Sequence, residues 1–180
     1  GLLPGEASGV VPDRDYMNSR YGPGGWGQGN LLNLSIGQGE LLASPLQMAV
    51  VSGLVASMGD MPPLSLIVGE DPCGVKLAPP ISPDNLAVID QALRAAVTRR
   101  GGTLFSAMHD SPLPFRAKSG TAETYAGLDH AWVCGYLPRP APLAYAVFVE
   151  YGGSGGVVAG PLARAIVEKA VERLYPDAVW

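Results

Sequence analysis

Residues 116–124 read RAKSGTAET, and the chain continues with AWVCGYL at 131–137 and LAYAVFVEY at 143–151. The second and third segments are rich in aromatic and β-branched residues, which is typical of strands. We predict three strands, at 115–121, 131–137 and 143–151. The short PRPAP connection between the last two has turn-forming residues, so these two strands are expected to form an antiparallel hairpin.

Three helices are expected around these strands. The helices predicted at 44–57 and 82–100 each begin with a Ser-Pro pair, which supplies an N-cap hydroxyl and a proline at the first helical position. A third helix is predicted at 161–174, after the GGSGG sequence at 152–156, which is interpreted as a flexible turn. Helices followed by sequential strands and a terminal helix predict an α+β fold, with an antiparallel sheet flanked by helices.

Residues 1–30 are rich in Gly, Pro and Asn and show no sustained period, so an irregular segment is expected there. We divide the chain into a loop-rich opening at 1–43, a helical part at 44–100, and strands with a terminal helix at 115–180. Because the chain starts without a cap or an amphipathic element, it is expected to be part of a longer domain.

Composition excludes several classes of function. The 180 residues carry a net charge of −4, which argues against a nucleic-acid-binding surface. Residues 41–59 carry one charge-free run, but its serines, proline and glutamine favour a helix of a folded domain over a membrane span. Cys73 and Cys134 form no disulfide framework, and Cys134 is predicted to be a buried thiol.

Short motifs for cofactors are weak in this chain. Gly22, Gly24 and Gly27 match GxGxxG, but a polar loop precedes them and more glycine follows, where the motif requires a strand and then a helix. No Gly-Lys dipeptide occurs, which excludes a phosphate-binding Walker A loop. His109 and His130 lie 21 residues apart without a nearby ligand pair, so neither a metal nor a cofactor is expected.

Four segments together carry a family resemblance. In chain order they are LNLSIGQGELLASPLQMA at 32–49, RAKSGTAET at 116–124, HAWVCGYLP at 130–138 and GGSGG at 152–156. This sequence resembles the C-terminal half of the transpeptidase domain of class B penicillin-binding proteins, the cell-elongation type in particular. The resemblance covers nearly all of the chain and implies the fold shared by penicillin-binding proteins and β-lactamases.

The family combines three site motifs, S-x-x-K, S-x-N and K-[ST]-G. Only the third occurs here, since no serine has Lys three positions later or Asn two positions later. The resemblance implies that the nucleophilic serine and the middle motif lie in an N-terminal part of the domain that is absent from these residues. The 180-residue chain by itself is therefore expected to be inactive.

The resemblance also assigns roles to the K-S-G-T sequence. Lys118 is expected to place positive charge, and a proton relay, beside the nucleophile. Ser119 and Thr121 are expected to offer hydroxyls to the substrate carboxylate, while the missing side chain at Gly120 leaves room for close approach. The backbone N–H of Thr121 is expected to be one of two oxyanion donors.

The implied function of the parent is cross-linking of peptidoglycan stem peptides through a serine acyl-enzyme, which β-lactams also acylate. A D,D-carboxypeptidase or β-lactamase, and a non-catalytic β-lactam sensor or scaffold, remain alternatives. The expected partners are the stem peptide, β-lactams and the N-terminal half of the domain, with no nucleic acid and with self-association of the fragment. The family places the parent at the extracytoplasmic face of a bacterial cytoplasmic membrane, anchored by an N-terminal helix outside these residues.

Overall fold

All three strands are present in the computed structural model, within one or two residues of their predicted ends. β1 spans Arg116–Ala122, β2 spans His130–Leu137 and β3 spans Leu143–Val149. They form an antiparallel sheet in the order β1-β2-β3, with β2 at its centre. The structure describes residues 5–61, 64, 81–124 and 127–179.

The predicted helices are also present. α3 spans Pro45–Ala56, α4 spans Pro83–Thr98 and α6 spans Gly160–Leu174. The Ser82 hydroxyl caps α4 by accepting a hydrogen bond from the Asn85 N–H at 3.3 Å, as the Ser-Pro signal predicts. Helices packed with an antiparallel sheet confirm the predicted α+β class.

The prediction that residues 1–30 are irregular is wrong. The eight-residue helix α1, at Arg14–Tyr21, lies within this segment. A second eight-residue helix, α2, begins in it and spans Gln28–Ser35. The carboxylate of Asp13 caps α1 by accepting from the Tyr16 N–H at 2.7 Å. These helices are polar or short, and Met17 is the residue that α1 buries, so hydrophobic periodicity did not reveal them.

The chain divides into two compact units. The first holds the described residues up to Ser44, in which an antiparallel bridge joins Val10 to Leu42. The second runs from Pro45 to the end of the described chain and contains the sheet. It also includes the four-residue helix α5 at Phe105–Met108, which the sequence did not predict.

One face of the sheet, here called the core face, packs against α6. Alternate strand residues such as Ala117, Val133 and Leu137 lie on it, each fully buried. The buried residues that α6 contributes are Ala163, Val167 and Val171. Burying a Val or Leu side chain stabilises a fold by about 1.5–3 kcal/mol, so this layer fixes the position of the strands.

The opposite face, here called the α3 face, carries the other strand residues. α3 packs on it, and a Cβ added at Gly53 would lie 3.6 Å from the Cβ of Ala144. The cover is incomplete, because Phe148 on this face remains 37% exposed. Cys134 also lies here and is half-buried, so its prediction as a buried thiol is wrong in degree.

Within the described residues, no helix has the length and apolar content that crossing a membrane requires.

Candidate functional site

The predicted site lies on β1, the edge strand of the sheet. Among the described residues no strand pairs with the outer edge of β1. Strand alternation places Lys118, opposite Cys134, and Gly120 on the α3 face. Ser119 and Thr121 lie on the core face, so the four predicted residues divide between the two faces.

Lys118 is exposed, and its ammonium group donates to the backbone carbonyl oxygen of Ser119. An antiparallel strand turns the N–H and C=O groups of alternate residues toward opposite edges. A Ser119 carbonyl that reaches Lys118 is directed to the open edge, and the backbone groups of Thr121 follow the same direction. This geometry brings the Lys118 ammonium and the backbone N–H of Thr121 to one edge of the strand.

Ser119 is buried, with 8% of its surface exposed. Its hydroxyl donates to the Thr103 hydroxyl oxygen at 2.7 Å. Thr103 lies in the turn between α4 and α5, 16 residues earlier in the chain. Sequence reasoning missed Thr103, because a threonine after a Gly-Gly pair carries no signal that links it to a distant strand.

Thr121 is exposed, and its hydroxyl oxygen accepts a hydrogen bond from the Gly155 N–H at 3.3 Å. A Cβ at Gly155 would lie 2.2 Å from the Gly120 carbonyl oxygen, and one at Gly156 would lie 2.4 Å from the Thr103 carbonyl oxygen. Both positions therefore require glycine. The GGSGG sequence, predicted as a flexible turn, instead packs Gly155 tightly against β1 and Gly156 tightly against the turn that carries Thr103.

Gly120 has more room on its own face. A Cβ there would meet the Trp132 Cβ at 3.3 Å and no other atom closer. That spacing requires a neighbour to shift by a few tenths of an ångström. The strand backbone is thus accessible beside Gly120, as close approach of a ligand requires.

A polar cluster anchors the start of β1. The Asp90 carboxylate on α4 accepts from Arg116 Nε at 2.9 Å and from the Tyr136 hydroxyl. Burial, together with this hydrogen bond to Asp90, raises the pKa of Tyr136. The cluster ties α4 to the strand two residues before Lys118, and the sequence did not predict it.

The Cys134 thiol reports on the charge of its cross-strand neighbour. Burial raises the pKa of Cys134, and hydrogen bonding with Ser52 and the positive charge of Lys118 both oppose that rise. The Cys134 thiol, whose reactivity can be measured, therefore lies close enough to the Lys118 ammonium to feel its charge.

The chain is similar to known proteins over most of its length. Residues 2–168 match the family described as the penicillin binding protein transpeptidase domain. The peptidoglycan D,D-transpeptidase MrdA of Haemophilus influenzae is 30% identical over 96% of this chain. The chain spans 30% of the length of that relative.

Solved structures show the same fold. The crystal structure of Pseudomonas aeruginosa PBP2 in complex with WCK 5153 is 32% identical, with a TM-score of 0.78 over 93% of this chain and 39% of that one. Penicillin-binding protein A from M. tuberculosis, solved as an imipenem acyl-enzyme complex, is 27% identical, with a TM-score of 0.58 over 77% of this chain and 33% of that one.

The match extends over most of the chain and includes the strand that carries K-S-G-T. The chain belongs to the penicillin-binding protein transpeptidase domain family.

Proposed function

We propose that the full-length protein is a serine-type D,D-transpeptidase that cross-links peptidoglycan stem peptides and is acylated by β-lactams. The observation that carries this proposal is the position of K-S-G-T on an edge strand whose outer side is open in the described structure. An open strand edge lets an extended peptide align antiparallel to it. The names of the relatives support the same activity.

The proposed reaction proceeds by acyl transfer. A serine hydroxyl outside these residues attacks the carbonyl carbon of the terminal D-amino-acid bond, and the D-amino acid leaves after its nitrogen receives a proton. An amine from a second stem peptide then attacks the acyl-enzyme ester and releases the serine. A β-lactam carbonyl is attacked in the same way, but its ring opening leaves the leaving group attached.

Lys118 and Thr121 carry the catalytic roles in this proposal. The Lys118 ammonium supplies positive charge and a proton relay next to the nucleophile. The Thr121 N–H donates to the oxyanion that forms during attack, and such a donor contributes about 10²–10³ in rate. Exposure of both residues and the edge direction inferred from the Ser119 carbonyl support these roles.

Substrate binding falls to the remaining groups. The backbone beside Gly120 receives the peptide, and the Thr121 hydroxyl binds the substrate carboxylate, with the Ser119 hydroxyl as the second candidate. The Thr121 hydroxyl belongs to an exposed residue and accepts from the Gly155 N–H, whereas the buried Ser119 hydroxyl donates to Thr103. The Ser119 role therefore requires its hydroxyl to exchange one partner for another.

The place of action follows from the substrate. Peptidoglycan lies outside the cytoplasmic membrane, so we place the full-length protein at the extracytoplasmic face, held by an anchor that precedes these residues. The N-terminal half of the domain, with S-x-x-K and S-x-N, completes the site. The chain alone is then inactive because it lacks the nucleophile.

The test uses the full-length protein with lipid-linked peptidoglycan precursor and a partner glycosyltransferase. Cross-linked muropeptides, detected by mass spectrometry and abolished by benzylpenicillin, are the expected result. Release of D-alanine without cross-links would indicate a carboxypeptidase instead. Penicillin binding without turnover of any stem peptide would indicate a sensor or scaffold.

A further inference from the structure

We propose that Thr103 is a positioning residue for the oxyanion donor at Thr121, and that it acts through the Ser119 hydroxyl. The inference rests on the proposed acyl-transfer function. It assigns the Ser119 hydroxyl to holding the strand rather than to binding the substrate carboxylate.

Thr103 lies on a turn that cannot easily move. Backbone hydrogen bonds join Gly102 N–H to the Arg99 carbonyl at 2.9 Å and Leu104 N–H to the Ala96 carbonyl at 3.1 Å, on either side of Thr103. A Cβ at Gly102 would lie 2.3 Å from the Ala96 carbonyl oxygen, and Leu104 is fully buried. The backbone at Thr103 is thus held by the end of α4.

Ser119, on the core face of β1, is the residue that the Thr103 hydroxyl contacts. Its side chain is buried, and a buried hydroxyl that loses its partner is costly. The 2.7 Å hydrogen bond to Thr103 is therefore expected to persist, which fixes the strand at the residue before Gly120.

Gly155 and Gly156, at the start of the terminal helical segment, pack against the same two parts of the chain, β1 and the turn that carries Thr103. Gly156 lies against the Thr103 carbonyl, Gly155 lies against the Gly120 carbonyl, and the Gly155 N–H donates to the Thr121 hydroxyl. Thr103 therefore holds Ser119, and Gly155 holds Gly120 and Thr121, whereas no strand of the described chain pairs with the outer edge of β1. Catalytic donors need such support, because small displacements reduce the rate steeply.

The experiment measures acylation of the full-length protein by nitrocefin, with the dissociation constant Ks and the acylation rate constant k2 resolved by stopped flow. Thr103→Val removes the hydroxyl at constant volume and is expected to lower k2 by about tenfold while leaving Ks unchanged. Thr103→Ser, which retains the hydroxyl, is expected to restore k2. Thr98→Val is the matched control, since the exposed Thr98 hydroxyl bonds within α4 to the Arg94 carbonyl at 3.0 Å.

Ser119→Ala extends the test if Thr103→Val folds poorly, because it leaves the exposed Thr103 hydroxyl to water. Positioning predicts that Ser119→Ala lowers k2 to the same extent and that the double variant falls no further. A Ser119→Ala variant with raised Ks and normal k2, or a Thr103→Val variant with the parental k2, would overturn the inference and leave the proposed function standing. An unmodified protein that nitrocefin does not acylate would overturn both.

Discussion

Arg116 and Lys118 lie on the same face of β1, but they differ in how their charges are used. Arg116 is paired with Asp90, whereas Lys118 has no carboxylate partner within the described part of the chain. The charge of Arg116 is neutralised and holds α4 to the strand. The charge of Lys118 is left available, which is the state that a catalytic cation requires.

Replacing Asp90 tests whether its pairing with Arg116 holds α4 to the strand. Asp90→Asn removes the charge from a half-buried acceptor that binds Arg116 and Tyr136, so we expect a loss of about 1–3 kcal/mol in the free energy of unfolding. Urea denaturation of the isolated chain measures it. Glu172→Gln, in an exposed pair with Lys169, is the control and should change stability little. An unchanged urea midpoint for Asp90→Asn would show that the polar cluster does not stabilise the fold.

Alkylation of Cys134 tests the placement of the Lys118 charge. Positive charge favours the thiolate, so Lys118→Met should raise the pKa of Cys134 further and lower the thiolate fraction at pH 8. Iodoacetamide should then react more slowly, measured in a Cys73→Ser background that leaves Cys134 as the chain's one thiol. An equal or faster rate after Lys118→Met would show that the ammonium lies away from Cys134.

At the scale of elements, two glycines of the sheet serve different purposes. A Cβ at Gly135 on β2 would lie 2.1 Å from the Arg116 carbonyl oxygen and 2.8 Å from the Tyr145 hydroxyl. A Cβ at Gly120 on β1 would make one contact closer than 4 Å, at 3.3 Å, with Trp132. Gly135 is needed for packing, whereas Gly120 leaves room beside the strand.

We therefore expect alanine to have opposite effects on stability and on acylation at these two positions. Gly135→Ala is expected to lower the free energy of unfolding by about 1–3 kcal/mol, since the contacts with the Arg116 carbonyl oxygen and with Ala117 Cα, at 2.9 Å, cannot be relieved without moving backbone. Gly120→Ala is expected to fold almost normally but to slow β-lactam acylation of the full-length protein. Thermal unfolding and acylation rates, measured on both variants, check the contrast. Equal loss of stability in the two would contradict it.

The sequence predicted the sheet and its flanking helices because each has a local cause. Ser82 caps α4, and the alternation in β2 buries Ala131, Val133 and Leu137 on one face. It did not predict α1, whose Asp13 cap and Gly22 end are strong signals but whose surface is polar. Caps, rather than periodicity, would have found that helix.

For the candidate site, the sequence predicted the strand but not the residues that contact it. K-S-G-T identified the strand, because the motif is contiguous in sequence. Thr103 and Asp90 contact that strand from 16 and 26 residues away, respectively, through tertiary packing alone. No local pattern in the chain marks such partners.

At the scale of the whole molecule, the outer side of α6 exposes several large apolar side chains among its charged residues. Leu162, Ile166 and Leu174 are 46%, 55% and 60% exposed. These apolar side chains on α6, and Phe148 on the other side of the sheet, are two separate exposed areas of the kind that another polypeptide covers. We expect the N-terminal half of the domain to supply that cover in the full-length protein.

The isolated chain should therefore self-associate. Sedimentation velocity is expected to show oligomers that grow with protein concentration, and a Leu162→Glu/Ile166→Glu variant is expected to shift the population toward monomer. A matched double variant, Gln91→Glu/Ala92→Glu, adds the same charge at exposed positions of α4 without removing a large apolar side chain, and should have less effect. A monodisperse monomer at high concentration, with no binding of a hydrophobic dye, would show that the chain is self-sufficient.

The central claim is that β1 supplies one wall of a penicillin-reactive site whose serine lies outside these 180 residues. Intact-mass measurement after incubation with benzylpenicillin tests it directly, on the full-length protein, its Lys118→Ala and Lys169→Ala variants, and the isolated chain. The account predicts one penicilloyl adduct on the full-length protein and on Lys169→Ala, formation at least about a hundredfold slower on Lys118→Ala, and no adduct on the isolated chain. A stoichiometric adduct on the isolated chain, or Lys118→Ala acylated within about threefold of the parental rate, a difference of well under 1 kcal/mol, would contradict it.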